Sequence, residues 1–442
     1  MQLPEVFTRQ MQQLLREEYE LFLKSQTTRA PVSVRLHPLK KSMLHGDPVP
    51  WCSTGRYLHE RPVFTLDPAF HGGAYYVQEA SSMFVEQFLL QLNIHRKPLR
   101  ILDAAAAPGG KSTHLLSLIH QESLLVANEV IRSRVPVLRE NLTKWGYPNV
   151  IITNNDAADF GNVPGFFDVI VLDAPCSGEG LFRKDPDSIS QWSTENVLLC
   201  SKRQQRILND LWPALKEGGL LIYSTCTYNA LENEENIIRL LTEKKAVPVS
   251  IDVPAQWNVR SGNGPGYRFY PHRVKGEGFY VCAIQKTSAE AAPYYRAKPS
   301  ALSISPHPVV RKFIRTPFDV IWFEQHGSLS FAPASLAQDI ALLRERLRTG
   351  KAGTEVAQIK QHKPIPAHDL AMSVHLNTDA FPVIQLNVDD ALAYLRKQHI
   401  NATANNKGFH LFTYNDLPLG WANVLPGRIN NLYPSAWRIR NL

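Results

Sequence analysis

Between residues 99 and 284, short and nearly unbroken apolar runs alternate with longer amphipathic stretches. The runs are Leu99–Asp103, Leu124–Glu129, Val150–Thr153, Asp168–Asp173, Gly219–Thr225 and Phe279–Ile284, and the stretches are 110–120, 131–144, 195–216 and 231–244. A strand that is apolar on both faces must be covered on both faces. This alternation therefore predicts an α/β fold with a parallel sheet and right-handed helical crossovers. In such sheets ligands bind where the strands end, which puts Asp103, Glu129, Asp156, Asp173 and Cys226 on one rim.

The flanks read differently. Residues 4–25 form an amphipathic helix with Phe7, Met11, Leu14, Leu15 and Phe22 on one stripe. With the mixed segment behind it, this gives a small N-terminal α+β subdomain over 1–92 ahead of the alternating α/β domain over 93–287. A linker and an intermediate α/β region fill 288–369, with the Pro-, Ala- and Ser-rich stretch 286–308 as the linker proper and a helix near 335–349. Residues 370–442 read as a small, mostly β module.

The chain has 442 residues and a formal net charge of +8, unevenly spread. Residues 1–289 hold 31 Lys+Arg against 29 Asp+Glu, and residues 290–442 hold 17 against 11. A basic end on a balanced body suits a polyanion. The five cysteines are scattered without a CxxC pair, which argues against a disulfide framework or a metal site; Cys52, Cys200 and Cys282 read as small buried residues. No apolar run reaches membrane-spanning length and the start lacks a secretion-signal layout, so a cytoplasmic protein acting as a monomer is expected.

The segment LDAAAAPGGKST, 102–113, follows the first strand and opens a helix. Small residues let a ligand approach the backbone, and a helix start offers free N–H groups. A phosphate loop is the rival, but GxxxxGK[ST] requires glycine at 105, where this chain has Ala105, and Pro108 lies inside the loop. Glu129, ending the next strand, suits two ribose hydroxyls, and Asp156 suits an adenine amino group. The plainer alternatives are a dipole-favoured acid and a turn cap. Loop, ribose acid and adenine acid together describe an adenosine cofactor. Without GxGxxG, S-adenosylmethionine fits better than NAD.

The fourth strand runs into Asp173-Ala174-Pro175-Cys176 and the fifth into Thr225-Cys226-Thr227. Both thiols are expected on one rim. Methylating C5 of cytosine needs such a set: a thiolate adds to C6, an acid serves N3, and a second group helps remove the C5 proton or expel the thiolate. Asp173 is the candidate acid. A Pro-Cys pair after the fourth strand is also where DNA cytosine methyltransferases carry their nucleophile, so the order of the two cysteines stays open on these grounds.

YVQEASSM (76–83), LDAAAAPGGKST (102–113), ANEV (127–130), Asn155-Asp156, DAPCSGEGLFRKDPD (173–187), QQRIL (204–208), GGLLIYSTCTYNALENEENI (218–237) and RFYPHRVKGEGFYV (268–281) together resemble the NOL/NOP/Sun family of RNA (cytosine-5)-methyltransferases, and within it the RsmF-like ribosomal RNA enzymes. The resemblance implies a Rossmann-like methyltransferase sheet, S-adenosylmethionine as methyl donor without a metal, and RNA as partner, most naturally small-subunit ribosomal RNA, with transfer RNA as the alternative. It implies that Ala105, Ala106, Ala107, Pro108, Gly109, Gly110, Lys111, Glu129, Arg134, Asp156 and Asp173 contact or surround the cofactor. It makes Cys226 the nucleophile and Cys176 the release residue. Glu232, Asn233 and Glu234 match an ENE run expected to cap the following helix, and Arg183 and Lys184 match a basic turn expected at phosphate. Ala105 stands where the family usually has cysteine, and Arg35-Leu36-His37 where it often has Arg-x-Asn. The stretch 408–440 resembles a PUA-type RNA-binding module. Tyr414, Trp421, Tyr433 and Trp437 are candidates there for base stacking, although about half of them are expected to be core.

Overall fold

The computed structural model describes residues 3–261, 264–288, 304–400 and 406–440. The chain opens with α1 (Glu5–Leu15) and α2 (Tyr19–Gln26), separated by a 3-10 turn at Arg16–Glu18. One helix is expected over this span. Its apolar residues recur at Phe7, Met11, Leu15 and Tyr19, a four-residue spacing that drifts by about 40° per step on a 3.6-residue helix. The turn, with Arg16 at φ +50°, interrupts that drift. Phe7, Met11, Leu15 and Phe22 are buried, Leu14 only partly, and they pack on Phe182, Trp192, Tyr228 and Tyr270 of the catalytic region.

Next come β1 (Val32–Leu36), β2 (Asp47–Val49), β3 (Cys52–Leu58), α3 (Pro68–His71) and β4 (Tyr75–Val77), whose strands form a sheet in the order β2-β3-β1-β4. The helix α4 (Val85–Gln91) leads into the catalytic sheet. There the chain runs β5 (Arg100–Asp103), α5 (Gly110–Leu118), β6 (Leu124–Asn128), α6 (Val135–Trp145), β7 (Val150–Thr153) and β8 (Phe167–Asp173). It continues through α7 (Asp187–Gln191), α8 (Thr194–Leu211), β9 (Leu215–Thr225), α9 (Glu234–Glu243), β10 (Ala246–Val249), β11 (Arg260–Ser261), β12 (Tyr267–Phe269) and β13 (Phe279–Lys286). The expected strands are all present, with ends shifted by a few residues.

The strands β7-β6-β5-β8-β9 are parallel, with the order reversing between β5 and β8. One expectation fails: β13 lies antiparallel to β9. It arrives through a tight β12–β13 pairing with no helix between, and only a helical crossover would have returned it parallel. One face of the sheet buries Phe84, Phe88, Leu115, Leu138 and Trp145; the other buries Leu208, Leu211, Trp212 and Leu240.

After β13 come α10 (Pro308–Arg311), β14 (Val320–Gln325), β15 (Ser328–Pro333), α11 (Ala337–Arg346), β16 (Thr349–Ala352), β17 (Thr354–Lys360), β18 (Lys363–Pro366) and α12 (His368–Met372). Most of the expected linker, residues 289–303, lies outside the described residues. The intermediate region is not separate from the catalytic sheet. Strand β16 adds antiparallel to β7, and Ile340 and Leu343 of α11 join the core of the second face. The C-terminal module holds β19 (Val383–Gln385), α13 (Val388–Leu395), β20 (Gly408–Tyr414), β21 (Leu417–Leu425) and β22 (Arg428–Asn431) as one four-stranded sheet.

Candidate active site

The loop from β5 to α5 sits at the reversal of strand order, between Asp103 and Gly110. Its backbone is held from outside. Ala106 N–H donates to Asn128 O, Arg134 Nη2 to Ala107 O at 2.6 Å and Asn141 Nδ2 to Pro108 O at 2.8 Å. Gly109, at φ +117°, takes a conformation that side chains resist. Below the loop, the buried Arg35 donates to Gln78 and to Thr113 of α5, and its guanidinium stacks 4.4 Å from the Trp145 ring. His37 accepts at Nδ1 from Leu39 and Lys40 and meets Trp145 O through Nε2 at 3.0 Å. Burial pushes its pKa down to about 2, so the ring is neutral and serves as a turn clamp. The departure from Arg-x-Asn thus falls on a structural residue.

Two carboxylates at neighbouring strand ends have oxygens to spare. Asp103 is buried; Oδ2 accepts from Ser112 Oγ at 2.6 Å and Oδ1 has no hydrogen-bond partner. Burial, opposed by Ser112 and Lys111, pushes its pKa up to about 6. Glu129 is also buried; Oε1 accepts from Ile131 N–H, while Oε2 has no hydrogen bond and Arg134 Nη1 stands 3.6 Å away. Orphaned buried acceptors are costly unless a ligand supplies donors. An ammonium group and ribose hydroxyls are such donors, so the residues present fit S-adenosylmethionine. Asp156 behaves otherwise. It caps Ala158 N–H and pairs with Arg206 at 2.9 Å, which holds its carboxyl below the usual range. The turn-cap reading accounts for it.

Lys111 leaves the loop altogether: Nζ lies 2.7 Å from Asp173 Oδ2, whose other oxygen accepts from Ser224 Oγ at 2.8 Å. This lysine joins α5 to the end of β8, which sequence reasoning did not foresee. It also removes the residue on which a phosphate loop depends.

At the ends of β8 and β9 the two predicted thiols meet. Cys176 Sγ and Cys226 Sγ are 3.1 Å apart, both half-buried. Cys176 is held well above an ordinary thiol, first by its hydrogen bond with Cys226, then by burial and by the charges of Cys226 and Glu232. Gly180 makes the approach possible. Its N–H donates to Cys226 O, and a Cβ there would stand 2.9 Å from that oxygen and 2.6 Å from Gly278 O.

The ENE run is expected to cap α9, but no side-chain cap bond is made at its start. Glu232 is fully buried and turns back toward the Cys176 loop, Asn233 toward the Cys226 turn, and Glu234 pairs with Arg268. Burial pushes Glu232 up to about 7, against hydrogen bonds from Ser177 and Gln204. The signal for this group lay in the quoted motifs, where Gln204 opens QQRIL and Ser177 follows Cys176.

Other predicted residues lie elsewhere. Arg183 donates to Gly276 O and Lys184 stands 3.4 Å from Glu277; with Arg29 and Arg61 they line a groove of about 270 Å³. Cys200 and Cys282 are buried as expected. Cys52 is buried too, but it bonds with Glu86, which pairs with His114 at 2.7 Å, and these three residues tie β3 and α4 to α5. Of the four aromatics expected to stack bases, Trp421 and Tyr433 are core, 1% exposed each, and Trp421 Nε1 donates to Ala367 O; Tyr414 and Trp437 remain partly open. Among the described residues no helix is long and apolar enough to cross a membrane.

Three family descriptions match in chain order: the N-terminal domain of 16S rRNA methyltransferase RsmF over residues 3–80, 16S rRNA methyltransferase RsmB/F over 89–285 and the methyltransferase RsmF PUA domain over 381–439. The ribosomal RNA small subunit methyltransferase F of Erwinia tasmaniensis is 31% identical, over 98% of this chain and 96% of its own. Among solved structures, a methyltransferase homologue from Pyrococcus horikoshii aligns with TM-score 0.54 and 29% identity over 64% of this chain and 95% of its own. NSun6 from the same organism, solved with SFG, aligns with TM-score 0.55 and 20% identity over 65% and 99%, a likeness of fold. A doubly wound sheet with a small-residue loop at its reversal and two facing thiols, matched along nearly the whole length, leaves no room for the phosphate-loop rival: the chain belongs to the RsmF branch of the S-adenosylmethionine-dependent RsmB/F methyltransferases.

Proposed function

We propose that this chain transfers a methyl group from S-adenosylmethionine to C5 of a cytosine in small-subunit ribosomal RNA, with Cys226 as the attacking thiolate and Cys176 as the release residue. The observation that carries the reading is the 3.1 Å approach of two half-buried thiols beside the Lys111–Asp173 pair. The names of the relatives favour small-subunit ribosomal RNA over transfer RNA. The PUA match and the basic C-terminal third favour an RNA partner.

When bound, S-adenosylmethionine supplies an electrophilic methyl group. The loop 105–110 would take its backbone contacts, Asp103 its ammonium and Glu129 its ribose, with Arg134 holding Glu129 and the loop in place; Ala105 acts through its backbone, so the missing cysteine costs nothing. SFG is an S-adenosylmethionine analogue, which agrees with this choice. Asp156, already engaged by Arg206, contributes at most after that pair opens.

The chain's own chemistry then runs as follows. Cys226 S⁻ adds to C6 of the flipped base, and N3 takes a proton or hydrogen bond. Both oxygens of Asp173 accept in the structure, so the proton reaches N3 from the Lys111 ammonium or through Asp173 once Lys111 gives one up. After methyl transfer a base takes the C5 proton, its electron pair forms C5=C6, the C6–S bonding pair leaves on Cys226 as thiolate, and N3 returns its proton to the Lys111–Asp173 pair. Cys176, kept as a thiol by its surroundings, is poised to protonate or exchange protons with the departing sulfur. The half-open groove at Arg29, Arg61, Arg183 and Lys184 would carry the flanking phosphates. The test is covalent trapping: Cys176→Ala should accumulate a protein–RNA adduct that survives denaturing electrophoresis, and Cys226→Ala should form none. The reverse pattern would exchange the two roles.

A further inference from the structure

Two consecutive buried residues reach two different loops. Glu232 is 0% exposed. Its Oε2 accepts from Ser177 N–H at 2.9 Å and from Gln204 Nε2 at 3.0 Å, and its Oε1 accepts from Ser177 Oγ at 2.5 Å. The same Gln204 Nε2 also donates to Pro175 O at 2.9 Å, and Gln204 Oε1 is held by Asn236 Nδ2 at 2.7 Å. The residues before and after Cys176 are thus fastened to one carboxylate–amide unit. Asn233, also 0% exposed, treats Cys226 the same way. Its Oδ1 accepts from Thr225 Oγ1 at 2.5 Å and its Nδ2 donates to Thr227 O at 3.0 Å. One bond, between Ser177 Oγ and Thr227 Oγ1 at 3.0 Å, links the two units.

We propose that Glu232 and Asn233 are separate positioning residues, Glu232 with Gln204 for Cys176 and Asn233 for Cys226, and that their adjacency in the chain sets the separation of the two thiols. One peptide unit joins them, so the two loops are anchored at neighbouring points of one buried backbone segment while each loop keeps its own side-chain clamp. Buried polar groups with every bond made have little freedom, and an ångström of misplacement at reacting atoms is enough to slow a reaction about a hundredfold. Both residues are fully buried and act through a cysteine. The catalytic consequence rests on the roles proposed for the thiols, but the pairing of clamp and cysteine does not.

The experiment therefore reads the cysteines directly. Full-length Glu232→Gln and Asn233→Ala are alkylated with iodoacetamide, and each thiol's rate is followed by peptide mass spectrometry, with thermal melting as the control for folding. Glu232→Gln should change the rate at Cys176 at least fivefold and at Cys226 less than twofold; Asn233→Ala should do the opposite. In methyl transfer both should lower kcat at least tenfold with KM for RNA within twofold, and Asn233→Asp, which keeps the acceptor for Thr225, should recover part of it. In covalent trapping Glu232→Gln should copy Cys176→Ala and Asn233→Ala should copy Cys226→Ala, whichever cysteine attacks. A swapped adduct pattern in the cysteine variants themselves would correct the proposed mechanism and leave the clamps standing. Equal effects of each clamp variant on both thiols, or none on either, would overturn the clamps.

Discussion

Glu232→Gln should also change how the fold responds to pH. An ordinary glutamate loses its proton near pH 4.5, whereas burial holds Glu232 protonated to about 7. Between those values the folded chain binds the proton and the unfolded chain does not. The contribution of this group is therefore fully present below pH 4.5 and is lost as pH rises through 7. A shift of about 2.5 units at about 1.4 kcal/mol each amounts to some 3 kcal/mol by pH 8. Other carboxyls titrate over the same range, Asp103 among them, but they do so in both proteins and cancel in the difference. Melting should be followed for wild type and Glu232→Gln from pH 5 to pH 8. Wild type should lose stability relative to the variant by up to about 3 kcal/mol across that range, several degrees in the melting temperature of a domain of this size. Above pH 7 the ionised carboxylate accepts from three donors at once, so the form that grips the Cys176 loop is the form that costs stability. Parallel melting curves would refute the reasoning, because they would mean that Glu232 titrates like an exposed acid.

Other outcomes follow from the cofactor end and the tail. Asp103→Asn and Glu129→Ala should each weaken S-adenosylmethionine binding at least tenfold in calorimetry while leaving RNA affinity unchanged, since each removes a buried acceptor that has an oxygen to spare. The exposed cations of the C-terminal module should act through phosphate. Replacing Lys407, Arg428 and Arg440 with glutamine should flatten the salt dependence of RNA binding by about 2 in log–log slope, at roughly 0.7 per lost contact with single-stranded RNA. An unchanged slope would remove these residues from the RNA contact.

The fold was largely legible because its signals are local. Each parallel strand announces itself by an apolar run, and each candidate site residue by its place at the end of one or just after it. The loop, Glu129 and both cysteines needed no more than strand order to be placed. The misses share another cause: they depend on which strand neighbours which. Phe279–Lys286 reads as one more buried strand whether parallel or antiparallel, since a strand covered on both faces has no polar side to report direction. Thr349–Ala352 is short and carries a lysine, yet Lys351 is buried against Asp369 and the strand completes the β7 edge.

The ENE run shows the same limit at the site. Three polar residues at a helix start have a local explanation, a cap, and local reasoning takes it. The structure supplies competitors that local reasoning cannot count: the backbone N–H and the hydroxyl of Ser177, an amide on α8, and a threonine hydroxyl and carbonyl on either side of Cys226. Each is buried, so leaving it unpaired would cost more than leaving the first turn of α9 to water. The polar residues therefore go to the buried partners that water cannot reach. Those partners cluster at the two thiols because both loops follow parallel strands that end side by side, where irregular backbone comes off a buried sheet without a ladder to satisfy it. The same geometry that brings two cysteines to one rim thus creates the demand for side chains to hold them there.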